Sequence, residues 1–481
     1  MKIQDFNFPE KNFFIEKFGG DVYAVGGYVR DLFRKKSSRE VDLLIRKHSV
    51  DNIVKMLRPQ GKVDLVGKSF GVIKFTVEGR TYDIALPRSD VPRPAEVPGH
   101  KNFIIHADPD LPLERDLKRR DFRCNSMALR LADGEVFDPF DGMKDIKKSL
   151  LRMTDEDAFP NDALRVLRAA RFASVLEFTL DLSIYAAARR IDLSGLSVER
   201  INEELFRILL DSPRPSIGLE HFFILGVLEQ LYPELYAMTL TLQDSVFHPE
   251  KDAYGHHTVW HHTRLTVDQA CRFSRMFDLI PARKLSLLLA ALFHDIGKPH
   301  LTRWDYKKDR MVITSQGHDV KGVDLAKKNF DRFKIFSWNG FYIRRTVLFL
   351  IKCHHRPSEL WNNRDTVTKK AFNRLAAEIE GEIELLVYLD AADRAGRTEK
   401  PVEKLDREAV WLLDKFKEFN ITQETIRPLI QGRDLIKLGV EPGRRMGRIL
   451  KKLYALQLDN EFETHEEGLK AARKILSEED G

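Results

Sequence analysis

The stretch that decides the fold is Ala24-Val25-Gly26-Gly27-Tyr28-Val29-Arg30-Asp31, followed after a short basic loop by Glu40-Val41-Asp42. Ala24 and Val25 read as the end of a strand, and the paired glycines as a turn that lets another group approach the backbone closely. A helix carrying Arg30 is predicted to start there. A helix N-terminus offers backbone N–H groups and a positive dipole end to a phosphate. Glu40 and Asp42 stand at i and i+2. In a second strand they project from one face, close enough to hold a divalent metal together. A phosphate cradle and metal-holding carboxylates in one β-turn-α-β unit point to nucleotidyl transfer. Either half alone is a weak signal, because an acidic pair in a strand is ordinarily a solvated edge.

Working outward, residues 63–66, 72–77 and 81–86 read as strands bounded by Gly, Pro or Asp. The last places Asp83 as a third carboxylate beside Glu40 and Asp42, as two-metal phosphoryl transfer requires. Residues 87–99 hold four prolines and read as a loop. From about residue 155 the period turns helical, with Leu164, Leu167, Ala170 and Phe172, then Ile201, Leu205, Ile208 and Leu209. Helical texture continues to the C-terminus, interrupted by one strand candidate at 310–314 inside an insertion. There is no internal repeat. The expected class is α+β: a small head with a β-sheet, then a long helical body.

At 481 residues the chain exceeds one core, and two to four domains are expected. Hydrophobic residues make up 43% and charged residues 32%, a soluble globular balance. The longest apolar run, near 285–293, falls far short of the ~20 residues of a membrane span. The N-terminal residues lack an apolar h-region, which argues against a secretory signal. Three cysteines, Cys124, Cys271 and Cys353, form no CxxC pair. That disfavours a disulfide framework or cysteine-rich zinc site and fits a reducing cytoplasm. The net charge of +6 is modest, and a solvated basic surface would produce it as readily as a nucleic-acid partner.

Local clusters say more. Arg119-Arg120-Asp121-Phe122-Arg123-Cys124-Asn125-Ser126-Met127-Ala128 follows Glu114, Arg115, Asp116 and Lys118. It reads either as a charged face before a buried strand or as a set that binds triphosphate and ribose. Further on, Asp162, Arg165 and Arg168 recur at helical spacing. They form either an ordinary i,i+3 ion pair or a base reader. Cytosine and adenine both present an amino donor beside a ring-nitrogen acceptor, so Asp can accept from the first and Arg donate to the second. One Asp–Arg pair would then admit CTP and ATP and reject GTP and UTP.

Nine of fifteen histidines fall between His256 and His355. They include His256-His257, His261-His262, His294-Asp295, His318 and His354-His355, followed by Asp393, a set that suits Mn, Fe, Ni or Mg better than a thiolate-type zinc site. His261 and His355 stand as adjacent alternatives. Finally, residues 443–454 read as a basic amphipathic helix, with Met446, Ile449, Leu450 and Leu453 inward and the basic residues solvated or against an RNA backbone.

These motifs, in this order, resemble the bacterial class II tRNA nucleotidyltransferase/poly(A) polymerase family, with an HD domain in the helical body. The motifs are Gly-Gly-x-Val-Arg-Asp, acidic-x-Asp, Arg-Arg-Asp-Phe-x-x-Asn-x-Met-Ala, Asp-x-x-Arg and Glu199-Arg200-Ile201…Glu204. The resemblance implies a nucleotidyltransferase head over 1–152, a helical neck that recognises the base over 153–240, an HD domain over 241–400 and a tRNA-binding tail over 401–481. It implies that Gly26, Gly27 and Arg30 hold the triphosphate, that Glu40 and Asp42 are catalytic and bind Mg²⁺, and that Arg119, Arg120, Asp121 and Asn125 contact phosphates and ribose. Asp162 and Arg165 would read the base with support from Arg168, and Glu199 and Arg200 would brace that helix. The implied activity is addition of CCA to tRNA from CTP and ATP, without an obligate protein partner or a membrane.

The HD series His262, His294, Asp295 and Asp393, with His318 and His354 for a second ion, implies a divalent metal (Mn, Ni or Mg). It raises metal-dependent phosphoester hydrolysis as a second activity. Alternatives are a CC-adding, A-adding or poly(A)-polymerase relative, or an HD phosphohydrolase whose head binds nucleotide or RNA. The acidic ending Ser477-Glu478-Glu479-Asp480-Gly481 disfavours the poly(A) polymerase. Two departures matter. The family's metal pair is usually Asp-x-Asp, whereas Glu40 stands first here, and a displacement on the order of 1 Å can cost ~100-fold in rate. Asn161 also replaces the usual acidic residue before Asp162, whereas Ser126 within Asn125-Ser126-Met127-Ala128 is expected to be nearly neutral.

Overall fold

A computed structural model describes residues 2–3, 6–37, 40–66, 72–92, 103–307, 309–421 and 426–480. Contacts divide the chain into two compact units, Met1–Pro213 with Ile217–Leu231, and Arg214–Ser216 with Tyr232–Gly481.

The first unit opens on the head. Its strands are β1 (Val22–Val25), β2 (Asp42–Ile45), β3 (Lys62–Val66), β4 (Val72–Val77), β5 (Arg80–Ala85), β6 (Arg88–Pro92), β7 (Phe103–Ala107), β8 (Ala128–Arg130) and β9 (Val136–Phe137). Seven of them form one sheet in the order β3-β4-β5-β2-β1-β8-β9, while β6 and β7 pair apart. All four residues of β1 are buried, as are Leu43, Leu44 and Ile45 of β2, which places these two strands in the middle of the sheet. Tyr23, Val25, Leu44, Leu113, Leu117 and Ala128 form a common core beneath it. Val25 pairs with Asp42 across the antiparallel β1–β2 ladder, and Asp42 pairs with Asp83 across the parallel β2–β5 ladder. This register brings the glycine turn after Val25, Asp42 and Asp83 to one end of the sheet.

Three expectations change. Strand β2 begins at Asp42, so Glu40 lies ahead of the ladder and does not share a strand face with Asp42. The proline-rich 87–99 is partly strand: β6 runs to Pro92 and pairs with β7, and 93–99 lie outside the described residues. A proline at the end of a two-stranded ribbon is tolerated because its missing N–H costs no interior ladder bond. Asp162 lies outside the helix that carries Arg165. That helix is Leu164–Leu176, with Ala163 at its N-cap, and Asp162 stands one residue further out, its Oδ1 accepting from the Leu164 N–H at 3.1 Å.

The helix Leu164–Leu176 packs on Val198–Asp211, which buries Ile201, Leu205, Ile208 and Leu209 at 3–4 spacing. In the second unit, Val259–Met276, Pro281–Phe293, His318–Arg332, Ile343–Cys353 and Ile383–Ala395 form a helical body. The predicted strand at 310–314 closes a hairpin with Arg303–Lys307. The tail has its own core of Ile430, Leu435, Val440, Met446, Ile449, Leu453, Phe462, Ala472 and Ile475. The helix Arg444–Leu458 buries Met446, Ile449 and Leu453 and half-buries Leu450, the amphipathic face read from sequence. The three cysteines are buried and form no disulfide with one another. Among the described residues no helix is long and apolar enough to cross a membrane.

Candidate functional site

In the head, Gly26 has φ +68° and ψ −128°, a conformation that glycine alone adopts readily. A Cβ built on it would stand 3.3 Å from Arg120 Nη1 and 3.7 Å from Asp42 Oδ2. The turn is thus flanked by a guanidinium and a carboxylate at the sheet end. Asp42 is raised above its ordinary 3.8, first by its recess among protein atoms, then by the charges of Asp83 and Glu40, with Arg120 opposing. Carboxylates that repel one another at one point, from oxygens alone, are the donor set a hard divalent ion takes. Asp83 also pairs with Lys74 at 3.5 Å.

Arg30 is buried and fully engaged. Its Nε and Nη2 form a fork on Asp31 at 3.0 and 2.9 Å, and Nη1 donates to Asn125 Oδ1 at 2.9 Å. A chain continues from there: Asn125 Nδ2 donates to Asp121 Oδ1 at 3.2 Å, and Arg168 Nε donates to Asp121 Oδ2 at 2.7 Å. Glu204, buried in the neighbouring helix, meets Arg171 Nε at 2.6 Å and Arg168 Nη1 at 3.9 Å. Burial opposes the charge of Asp121, but Arg168 outweighs it and holds the carboxyl below its ordinary value. Arg119 and Arg120 both grip the fully buried Asp116, at 2.6–2.9 and 3.2 Å. Despite its burial, that carboxyl is also held low, by Arg120 and then Arg119.

Asp162 and Arg165 take separate partners. Arg200 Nη2 lies 2.8 and 3.1 Å from the two Asp162 oxygens, whereas the Arg165 guanidinium donates to the carbonyls of Ala158 and Arg119.

The second constellation lies in the helical body. His262 comes from the helix Val259–Met276, His294 and Asp295 from the turn after Pro281–Phe293, His318 from the first turn of its helix, His354 from the end of Ile343–Cys353, and Asp393 from Ile383–Ala395. Gly297 permits this convergence, since a Cβ there would stand 2.1 Å from the His318 carbonyl oxygen. His262 Nε2 is 2.7 Å from Asp393 Oδ1; His294 Nε2 is 3.2 Å from Asp295 Oδ2 and 3.7 Å from Asp393 Oδ1; His318 Nε2 is 3.3 Å from Asp295 Oδ1. Lys298 Nζ is 2.7 Å from Asp295 Oδ2.

Three of these imidazoles donate Nδ1–H to the carbonyl three residues earlier: His294 to Ala291 at 2.8 Å, His318 to Ser315 at 2.8 Å and His354 to Ile351 at 2.6 Å. A carbonyl only accepts, so the neutral ring presents its lone pair at Nε2. His294 Nε2 and His354 Nε2 are buried without a hydrogen-bond partner. Lone pairs facing carboxylates in a dry site call for a cation between them, and this donor set fits a divalent metal. Among the described residues three groups are spaced to hold an ion: His262, His294 and Asp393; His318, His354 and His355; and His248, Glu250 and His262. Of the two adjacent alternatives, His355 joins a group, with Nε2 2.9 Å from His318 Nε2, whereas His261 turns its Nδ1 to Arg264 at 3.0 Å.

Burial strongly opposes charge here, yet the hydrogen bond to Asp393 and the Glu250 carboxylate beside Nδ1 lift His262 to about 9. Asp295 and Asp393 stay well below ordinary values against the same penalty, held by His294 and Lys298 and by His262 respectively. Sequence reasoning passed over Asp116 as a functional residue, as well as His248 and Glu250. Asp116 carried an available signal, an acid three and four residues before two arginines. His248 and Glu250 lie just ahead of the histidine-rich span.

This arrangement, a mixed-sheet head with a glycine turn beside carboxylates and a helical His/Asp body, is that of a nucleotidyltransferase with an HD domain. Residues 22–152 match the Poly A polymerase head domain and residues 259–396 match the HD domain. The multifunctional CCA protein of Methylococcus capsulatus is 30% identical over 451 residues, covering 90% of this chain and 93% of that protein. That of Pasteurella multocida is 30% identical, covering 82% and 88%. The chain belongs to the multifunctional CCA protein family. Its fold is similar to that of the Thermotoga maritima CCA-adding enzyme complexed with tRNA, with TM-score 0.57, 18% identity and coverage of 98% and 97%. Head domains and HD domains of this kind are generally dependent on divalent metal.

Proposed function

We propose that this chain is a template-independent tRNA nucleotidyltransferase that adds C, C and A to the tRNA 3′ end. The observation that carries the reading is Gly26, held between the Asp42 carboxylate and the Arg120 guanidinium, in a chain aligned along nine-tenths of its length with a multifunctional CCA protein. In this reading the tRNA 3′-hydroxyl oxygen attacks the α-phosphorus of CTP or ATP and gives up its proton to solvent, and the bond from that phosphorus to the bridging oxygen breaks, releasing pyrophosphate. Glu40 and Asp42 would hold Mg²⁺, which would supply charge stabilisation to the attacking and leaving oxygens. The backbone at Gly26 and Gly27 receives the triphosphate. Arg119 and Arg120, stiffened by Asp116, face its negative charge.

Arg30, Asp121 and Asn125 are placed by their own network, which favours a role in shaping the phosphate and ribose pocket from behind. Arg168 links that network to the neck. Asp162 and Arg165 read the base edge. The Arg200 pair and the Leu164 N–H use part of the carboxylate's roughly four lone-pair sites, which leaves room for an amino N–H. The four-part division into head (1–152), neck (153–240), HD domain (241–400) and tail (401–481) belongs to the same reading, as does a cytoplasmic location with tRNA, CTP and ATP as partners.

The buried, partnerless Nε2 atoms of the His/Asp cluster favour a second activity, metal-dependent hydrolysis of phosphoesters with Mn, Ni or Mg. A water bound there would be the nucleophile supplied. The test is incubation of the protein and Mg²⁺ with tRNA lacking its terminal CCA, giving labelled CTP and ATP separately and together. Incorporation of both supports CCA addition, and incorporation of one alone selects a CC- or A-adding enzyme. Absence of incorporation alongside hydrolysis of a model phosphodiester in Mn²⁺ or Ni²⁺ would leave only the hydrolase.

A further inference from the structure

His294, His318 and His354 all solve one problem in the same way: a backbone carbonyl three residues earlier takes the Nδ1 proton. His262 does not. No hydrogen bond from its Nδ1 to a backbone carbonyl occurs among the described residues, and the ring is fully buried. What stands beside Nδ1 is Glu250 Oε1, at 2.9 Å and off the N–H axis. Glu250 is itself buried, 7% exposed, and Oε1 also accepts from His248 Nδ1 at 3.1 Å. Its other oxygen, Oε2, is buried without a partner.

A buried carboxylate with one idle oxygen is costly to keep. Two imidazole Nδ1 atoms converge on Glu250 from different segments, the stretch before residue 258 and the helix Val259–Met276. On the far side of the ring, Nε2 meets Asp393 at 2.7 Å. The ring of His262 is thus held at both ends, by a carboxylate on each.

We infer that Glu250 is the positioning residue of His262: it takes the Nδ1 proton, fixes the ring and turns the Nε2 lone pair into the His294–Asp393 cluster as a ligand. The inference rests on the reading of that cluster as a metal site. A carboxylate on Nδ1 makes the opposite nitrogen a stronger donor than a carbonyl does. With Glu250 gone, the buried Nδ1–H has no acceptor, and the ring either switches tautomer, pointing a proton at the metal, or loses its orientation. Loss of such a partner typically weakens metal binding about 10- to 100-fold.

The experiment uses the full-length, metal-stripped protein carrying Asp42→Asn, so that the head carboxylates do not hold an ion. Mn²⁺ is titrated calorimetrically and the bound ion counted by elemental analysis, while melting of the metal-free proteins reports folding. His294→Ala is the ligand control. Glu250→Ala is expected to raise the Kd for the His294-dependent ion about 10- to 100-fold. Glu250→Gln is expected to lose clearly less, because its amide oxygen accepts Nδ1–H as the three carbonyls do. Should Glu250→Ala unfold the metal-free protein, the Glu250→Gln comparison with the parent decides alone, and a loss of 100-fold or more there overturns positioning through the proton.

Unchanged Mn²⁺ binding in Glu250→Ala, with weakened binding in His294→Ala, overturns the inference and leaves the metal site standing. Unchanged binding in all three variants overturns the metal site, and the inference with it. An ion that survives His294→Ala but vanishes in His248→Ala would make Glu250 a ligand of a separate site, also overturning the inference.

Discussion

Gly26→Ala tests the geometry of the head most directly, because Gly27 next door supplies a matched control. At Gly26 the backbone sits at φ +68° and ψ −128°, and holding a side chain there costs about 1–3 kcal/mol. For a unit of this size, each kcal/mol moves Tm by roughly 2–4 °C, so the first melting transition should fall by roughly 2–12 °C. The new methyl would meet Arg120 Nη1 at 3.3 Å, tighter than ordinary contact, with Asp42 Oδ2 at 3.7 Å on the other side. Either the guanidinium yields or the turn rotates. A shift approaching 1 Å at a reacting centre costs on the order of 100-fold, so kcat/KM for CTP should fall about 10- to 100-fold. At Gly27 a Cβ would stand 3.5 Å from Arg30 Nη2, an ordinary contact, and its φ is not positive. Gly27→Ala should therefore stay within about threefold by the same accounting. The assay is labelled CTP incorporation into tRNA lacking CCA, with calorimetry on both variants. A Gly26→Ala enzyme within threefold of the parent, or a Gly27→Ala enzyme equally impaired, would refute the claim that this turn carries the site.

Asp116 and Asp121 are both held below the ordinary 3.8, so each contributes stability fully above that value and loses it as the pH falls through its lower folded value. Asp116→Asn should therefore lower Tm at pH 6 and shrink the loss of Tm between pH 4 and more acidic conditions, as read by melting across pH. Arg200→Ala removes the guanidinium nitrogen that spans both Asp162 oxygens and leaves that carboxylate held by the Leu164 N–H; misincorporation of GTP and UTP should rise several-fold relative to CTP, measured by single-nucleotide addition. Ile449→Ala empties a fully buried position in the tail core and should cost about 2–5 kcal/mol there, seen as an earlier melting transition with incorporation into short RNA ends retained.

What was legible in the sequence was whatever period or local chemistry writes directly. Strands β3, β4 and β5 fall within a residue of their expected limits because alternation and bounding turns mark them. The tail helix shows its buried face at Met446, Ile449 and Leu453 because 3–4 spacing does not depend on tertiary context. The convergence of His262, His294, Asp295, His318, His354 and Asp393 could be anticipated as a series, since their residue types are rare together. What escaped was whatever depends on partners distant in the chain. Glu40 was expected to share a strand face with Asp42, but the ladder starts only at Asp42, where pairing with Val25 and Asp83 begins. Asp162 and Arg165 look like an i,i+3 pair on paper, yet Asp162 lies ahead of the helix and takes Arg200 from 38 residues away.

Asp116 and Glu250 escaped for a related reason. A carboxylate whose role is to hold an arginine or a histidine in place needs burial more than spacing, and burial is a property of the fold. Asp116 is fully buried beneath two arginines, and Glu250 lies between two imidazoles. In both places the residue expected to touch the ligand could be named from sequence, while the residue that aims it could not. The opening glycine pair obeys the same rule. Its importance was plain from its neighbours in sequence, but the clamp formed by Asp42 and Arg120 on either side of Gly26 exists only because the sheet register brings residues 26 and 42 to one end, where Arg120 reaches them from beyond the helix Leu113–Lys118. A substitution that slips the β1–β2 register by one residue would turn Asp42 to the opposite face, and it should abolish incorporation while leaving every side chain of the motif in place.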